Sequence, residues 1–509
     1  MSTSIMSNSL LNAAAGMLQL LTGFGCSVLV ARLLGPDANG VVAFALWVAV
    51  TGALIAELGT GMLLMRFIPE LRARGASERE RRGFAAYLAL PVFLSTTVIT
   101  LAYCLVSWRA EAAHWLEASE SVVVLTGILL FIQSIGSITK NYLIGEQRVL
   151  TLLRITALSS ALQISFVLAG AIAGGTVGAL AGYIAGQAVQ FFYTVRIFAT
   201  PRNAAGYETK FLATTSAILF VEYVIGAIFF SRPELFFLQH FRSVGEVGLY
   251  AVALSLANLA LQLPVQLTGS LIPFYAERRE LDGGMLSADV FHGVMRSFAY
   301  ITLPLCLGLA SISIPLVVAV YGNEFAQSGL IVAILAAGSP AYVFVQLAAQ
   351  YLYSMGKVTA RLAISGLGAA IMVVGCVVVV PIWGGPGAAV VRGIVFAAMG
   401  LLLIRRVQLK AQASGQGTVL AKVTIAAILC GGAAWTVTEL VPGLVGVAIS
   451  ICAGAVVYFL MLRFLRAIPV EDAVVMDRLV SRMPSGLGRA SRRLVSLLVP
   501  AQPSQVAAE

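Results

Sequence analysis

Apolar runs of roughly twenty residues follow one another from residue 9 to residue 464 of this chain. A helix rising 1.5 Å per residue needs about that many apolar residues to cross the ~30 Å hydrocarbon core of a bilayer. Only helices and closed barrels satisfy their own backbone hydrogen bonds there. The runs begin with 9–33 and 41–65 and end with 419–440 and 443–464, about fourteen in all. Composition agrees, because 59% of the 509 residues are hydrophobic and 11% are charged, against roughly a quarter charged on a water-facing surface. The expected fold is all-α, a polytopic integral membrane protein with about 14 transmembrane helices. The start, "MSTSIMSNSLLNAAAG", has neither a basic n-region nor a convincing cleavage site, so the first run is read as a retained helix.

Basic residues set the orientation, since Lys and Arg near helix ends stay on the cytoplasmic side. They crowd the even-numbered connections, from Arg66, Arg72, Arg74, Arg79, Arg81 and Arg82 onward to Arg405, Arg406 and Lys410. The odd-numbered ones hold little beyond Arg32, Arg109 and Arg242. Both termini are therefore expected in the cytoplasm. The net charge of +10 lies mainly in these inner loops and the tail, so no nucleic acid partner is inferred. Six cysteines stand singly without CxxC spacing, and His114, His240 and His292 are scattered. No metal, no cofactor and no catalytic residue is expected. No GxxxxGK[ST] loop occurs, so direct ATP hydrolysis has no support.

The chain also echoes itself. "VARLLGPDANGVVAFAL" at 30–46 returns in blurred form as "LQHFRSVGEVGLYAVAL" at 238–254, with Gly248 standing where Gly40 stands, 208 positions on. Three further anchors keep their order and nearly their spacing: "TGMLL" and "TGSLI", Gly145 and Gly356, Gly178 and Gly387. The division read from this is an N-lobe at 1–205, a C-lobe at 206–410, two extra helices at 411–465 and a tail at 466–509, amphipathic or disordered. Six helices per lobe give a parallel repeat, related by an axis near the membrane normal and enclosing a central cavity. The repeated glycine turn becomes the outer hairpin of each lobe, where Gly35 and Pro36 interrupt the helix.

"ARLLGPDANGVVAFAL", its echo and the six plus six plus two arrangement resemble the polysaccharide transport branch of the multidrug/oligosaccharidyl-lipid/polysaccharide exporter superfamily, which includes the Wzx-type flippases of O-antigen, capsule and exopolysaccharide synthesis. The resemblance implies two six-helix lobes around a cavity in a bacterial inner membrane. It implies translocation of a polyprenyl-pyrophosphate-linked oligosaccharide from the cytoplasmic to the periplasmic leaflet, with no covalent chemistry. The implied partners are that glycan lipid, the lipid bilayer, and the polysaccharide polymerase and chain-length proteins.

Charges inside apolar runs are costly and mark candidate sites. The repeat offset maps Arg232, Pro233 and Glu234 of "FFSRPELFFL" into the seventh helix, opposite Phe24 to Cys26 of the first. Arg232 is the candidate for holding pyrophosphate, with Glu234 beside it, and Pro233 is the candidate hinge. An Arg232 to Glu234 or Arg232 to Glu222 pair is the structural alternative. Arg392, two turns into the twelfth helix, and Arg66, at the membrane edge of the arginine-rich connection 66–83, complete the substrate set. Glu57 and Glu222 are candidates for ion coupling or for counter-ions. The rest of 66–83 reads as a solvated inner loop. Gly178, Gly182 and Gly186 share one helix face, a small-xxx-small pattern suited to packing within the lobe.

Three rivals remain. A lipid II flippase would share fourteen helices and a cationic cavity. A cation-coupled drug exporter would stop at twelve and carry an acidic residue in its first helix, which this chain lacks. A membrane glycan polymerase or ligase would need a large outer loop, and every outer connection here is short.

Overall fold

The computed structural model describes residues 2–109, 120–229, 232–268, 288–355, 358–407, 416–469 and 471–472, with 271, 274, 275 and 278. Among them there is no strand. The helices are α1 (Ser2–Ala56), α2 (Thr60–Ala73), α3 (Glu78–Arg109), α4 (Glu120–Gly145), α5 (Val149–Phe198), α6 (Thr209–Phe229) and α7 (Glu234–Phe241). They continue with α8 (Val244–Thr268), α9 (Ala288–Ser311), α10 (Ser313–Tyr321), α11 (Ser328–Ser354), α12 (Val358–Arg406), α13 (Gln416–Leu440) and α14 (Leu444–Phe464).

Ten of the described helices are long and apolar enough to cross a membrane. Three of them are double. α1 turns at Gly35 (φ 78°, ψ −178°), α5 at Gly174 and Gly175, and α12 at Gly384. Pro36 sits directly after the first turn, where a missing N–H costs a new helix nothing. In α5 the reversal is explicit. A β-carbon on Gly170 would overlap Gly178, one on Gly182 would overlap the Phe166 and Val167 backbone, and Gly186 lies against Gln163. These pairs run in opposite directions, so two antiparallel helices touch backbone to backbone. The small-residue stripe is therefore used for packing within its own hairpin. Among the described residues, counting each bent rod as two crossings, and joining α2 to α1, α7 to α6 and α10 to α9, gives fourteen crossings, the number expected from sequence. The chain is a multi-pass membrane protein.

Gly175 (φ 57°, ψ −134°) and Gly384 (φ 55°, ψ −135°) lie 209 positions apart and share a backbone conformation that only glycine adopts without strain. The repeat seen in the sequence is thus also present in the turns.

The helices form two compact units, Met1–Ser255 with Ala369–Ala388 and Leu256–Gly368 with Ala389–Glu509. Unit 1 has two apolar cores. One gathers Cys26, Val30, Val42, Ala45, Val167, Ala179 and Tyr183 near the Gly35 and Gly175 turns. The other gathers Leu64, Phe67, Ile68, Phe84, Tyr142, Leu143 and Ile197 near the basic connections at the opposite end. Hydroxyls stitch α4 to α5 between them, with Thr139 Oγ1 and Thr194 Oγ1 2.6 Å apart. Unit 2 packs α9, α13 and α14 around Tyr300, Leu303, Ala426, Ala427 and Tyr458.

Candidate substrate site and its surroundings

The repeated hairpins of the sequence meet in unit 1. A β-carbon on Gly40 would overlap the Val244 carbonyl, and one on Gly248 would overlap the Pro36 carbonyl. Shifting either contact by the repeat offset of 208 produces the other, so the contact is reciprocal. Asn39 adds a bond from Nδ2 to the Gly248 carbonyl at 3.1 Å, buried. The glycines recur because each makes room for the other hairpin's backbone.

The α7–α8 turn is further tied to the Gly384 bend. Arg242 donates to the Val380 and Ile382 carbonyls at 3.2 and 2.9 Å, and Glu246 Oε2 accepts from the Gly385 amide at 3.2 Å. Trp47 of α1 meets Phe236 of α7 with ring centroids 6.1 Å apart.

Arg232, Pro233 and Glu234 do not lie inside a continuous seventh helix. The crossing is broken between α6 and α7, and Arg232 adopts a left-handed conformation at φ 66°. Pro233 stands at the N-cap of α7, with its φ of −61° already helical. Proline supplies no N–H to the preceding turn, so the helix stops and restarts where the repeat alone placed only a bend. Glu234 is completely buried in the first turn of α7. A non-glycine residue held left-handed costs about 1 to 3 kcal/mol and tends to mark a functional position. Glu222 lies on α6, and its side chain is outside the described residues.

Glu57 also sits at a break. α1 ends at Ala56 and α2 begins at Thr60, and Leu58 and Gly59 have φ of 51° and 75°. The Leu58 carbonyl freed there accepts from Ser216 of α6, and Thr60 Oγ1 bonds the Glu57 carbonyl at 2.7 Å. The half-buried Glu57 carboxyl meets Ser137 of α4 and lies in the field of Lys140. Arg66, further along α2, is exposed, with its guanidinium 5.0 Å from the Phe67 ring centre. In unit 2, Arg392 lies 5.1 Å over the Phe396 ring, one turn on in α12. The neighbouring Gly393 faces Gly338 of α11 with almost no intervening space. Unit 1 thus carries Arg232, Glu234, Glu57 and Arg66 around two interrupted crossings, while Arg392 belongs to unit 2.

The arginine-rich connection is not simply a solvated loop. Arg81 grips the buried Glu146 with Nε–Oε1 2.7 Å and Nη2–Oε2 3.1 Å, and Arg72 donates to the Glu146 carbonyl at 3.0 Å. Arg82 and Arg148 both pair with Glu78, at 2.7 and 2.9 Å. The hydrogen bond to Glu78 raises the Arg148 pKa above its ordinary value. Ser77 and Glu80 form a reciprocal cap at the start of α3. The sequence signal for this cap was present in "SERE", but pairing across the 65 positions from Arg81 to Glu146 is invisible to spacing rules.

Unit 2 holds a second buried pair. Asp472 binds Arg296 of α9 through Oδ2 to Nε at 2.8 Å and Oδ1 to Nη2 at 2.7 Å, and accepts from the Tyr300 hydroxyl at 2.9 Å. Tyr458 of α14 donates to the Tyr300 carbonyl at 2.8 Å. The start of the tail is therefore fastened to unit 2, whereas residues 473–509 lie outside those described.

The overall architecture is similar to solved transporters. "Lipid II flippase MurJ, inward closed conformation" matches with TM-score 0.68 and 15% identity, covering 89% of this chain and 98% of that one. An inward-facing multidrug resistance MATE family transporter of the MOP superfamily matches with TM-score 0.57 and 14% identity over 81% and 99%. The Vibrio cholerae MATE transporter VcmN gives 0.55 and 15% over 80% and 98%. At these identities the likeness shows the fold alone, one shared with a flippase and with transporters. No curated protein sequence matches. The model of one family, described as "Polysaccharide biosynthesis protein", matches residues 29–330, more than half of the chain and including both glycine hairpins. The chain belongs to this polysaccharide biosynthesis protein family.

Proposed function

We propose that the chain is a flippase that moves a polyprenyl-pyrophosphate-linked oligosaccharide from the cytoplasmic to the periplasmic leaflet of a bacterial inner membrane, with both termini cytoplasmic. Repeat halves 1–205 and 206–410 would alternate access to the substrate. Family membership supports the pathway, and the reciprocal contact between the Gly40 and Gly248 hairpins carries the mechanism. In this mechanism the contact, docked here, would part when the two pseudo-symmetric hairpins rock apart as rigid bodies. Arg232, with Glu234 beside it, together with Arg392 and Arg66, would bind the pyrophosphate. Pro233 would be the hinge, and Glu57 and Glu222 would serve as ion-coupling groups or counter-ions. The polymerase and chain-length proteins would consume the product outside. A lipid II flippase is the second reading, kept because the fold matches MurJ at TM-score 0.68.

Deletion of the gene tests both readings. Lipid-linked oligosaccharide is expected to accumulate on the inner leaflet, and accumulation of lipid II instead would favour the second reading. Complementation then tests Arg232. Arg232→Ala removes the charge and keeps the left-handed strain, whereas Arg232→Gly removes both and should be more stable by about 1 kcal/mol. Polymer export is expected to fall more than tenfold with either variant at normal abundance. Full export with Arg232→Ala would end the assignment of that residue.

A further inference from the structure

We propose that a slot between α2, α3 and α6 is a binding site for one acyl chain of an anionic phospholipid. The cavity measures about 470 Å³ and its walls include Leu63, Leu88, Pro91, Ala213, Ala217 and Phe220. Its surface is overwhelmingly apolar. Pro91, Ala213 and Ala217 are exposed, so the slot is open along one side. Small side chains on α6 create the space that a larger residue would fill.

The surroundings decide the occupant. An apolar void excludes water, and one that opens along the apolar helices of a membrane protein meets hydrocarbon, so a chain fills it and restores the dispersion contacts its walls would otherwise lose. Along α6 the slot runs from Thr209 to Phe220, about 16 Å at 1.5 Å per residue. That is close to half of a ~30 Å hydrocarbon core, the depth of a single leaflet. A phospholipid chain matches this length, whereas a long polyprenyl tail overruns it.

Moving a chain from bilayer to slot gains little hydrophobic free energy, because lipid tails are as apolar as the walls. Selectivity must come from the headgroup end. There Tyr87 Oη and Thr209 Oγ1 are 2.9 Å apart; the exposed cation Lys210 follows Thr209, and the exposed Arg202 precedes Asn203, whose amide donates to the Gly83 carbonyl one turn before Tyr87. Arg66 lies one turn beyond Leu63 on α2. The acidic residues nearby are Glu208, which is exposed, and Glu70, which is engaged by Arg74. The balance is cationic and favours an anionic headgroup, by about fivefold per cation.

The test uses the purified full chain in nanodiscs containing equal phosphatidylglycerol and phosphatidylcholine, one of them carrying a photoactivatable acyl chain. Phosphatidylglycerol is expected to label residues 87–91 and 209–220 preferentially. Lys210→Gln and Arg202→Gln should each lower that preference about fivefold. Ala217→Trp should abolish labelling in the slot while leaving labelling at the exposed Leu444 and Val445 of α14 intact, which shows that the variant is folded. Equal labelling by the two lipids, no labelling of the slot, or labelling only by a polyprenyl phosphate probe would each overturn the proposal. None of these outcomes depends on transport, so the flippase reading stands or falls separately.

Discussion

Replacing Gly40 with valine is expected to abolish polymer export while the chain remains inserted in the membrane. A side chain there meets the Val244 carbonyl, and Gly248 meets the Pro36 carbonyl in the same way. The obstacle is backbone on both sides, so no rotamer change relieves it. Overpacking typically costs about 1 to 3 kcal/mol, and even the middle of that range shifts a two-state equilibrium more than tenfold away from the docked hairpins. Gly248→Val should act alike, and the double variant should be little worse than either, because both block one event. Labelling reads this directly. A cysteine replacing Val244, which is buried at 5% exposure and lies against Gly40 in the contact, should react with an impermeant maleimide at least tenfold faster in the Gly40→Val chain, both in a cysteine-free background. Unchanged labelling together with normal export would show that the hairpins do not need to dock.

The second large effect is expected at Asp472. Arg296 and Asp472 are both buried, at 9% and 6% exposure, and their bond spans 176 positions. Removing one partner from such a pair leaves an uncompensated charge and typically costs about 3 to 5 kcal/mol. Asp472→Ala should therefore lower the melting temperature sharply and expose the segment after α14 to protease. Arg296→Met with Asp472→Leu should recover most of the loss, since an apolar pair of similar volume carries no desolvation penalty. If Asp472→Ala melted like the parent chain, the tail would not be fastened in solution.

Much of the fold was legible because a bilayer demands long apolar runs, and those runs are countable. The turns were legible too, since Gly35 before Pro36 and the Gly174–Gly175 pair leave few alternatives. What the repeated glycines do was not legible. Gly40 reads as a turn residue in its own hairpin, and its partner backbone is two hundred residues away. The repeat placed Arg232 inside a helix by analogy with Phe24, but position 233 holds a proline where the first lobe has Gly25, and that single missing N–H breaks the crossing. The polarity of the tail suits an amphipathic or disordered segment and carries no sign that Asp472 has a buried arginine partner in α9. Arg81 likewise has the local composition of a solvated loop, although it pairs with the buried Glu146. Sequence patterns report how a residue suits its surroundings on average, and long-range ion pairs leave no period to detect.

The most direct measurement is translocation itself. The purified chain, reconstituted into liposomes with a fluorescent polyprenyl-pyrophosphate oligosaccharide, should make the lipid's sugar accessible to an external glycosidase on both leaflets. The Gly40→Val chain should leave about half of it protected, as protein-free liposomes do. Protection equal to that of empty liposomes with the parent chain, under an imposed membrane potential and ion gradient, would contradict the account.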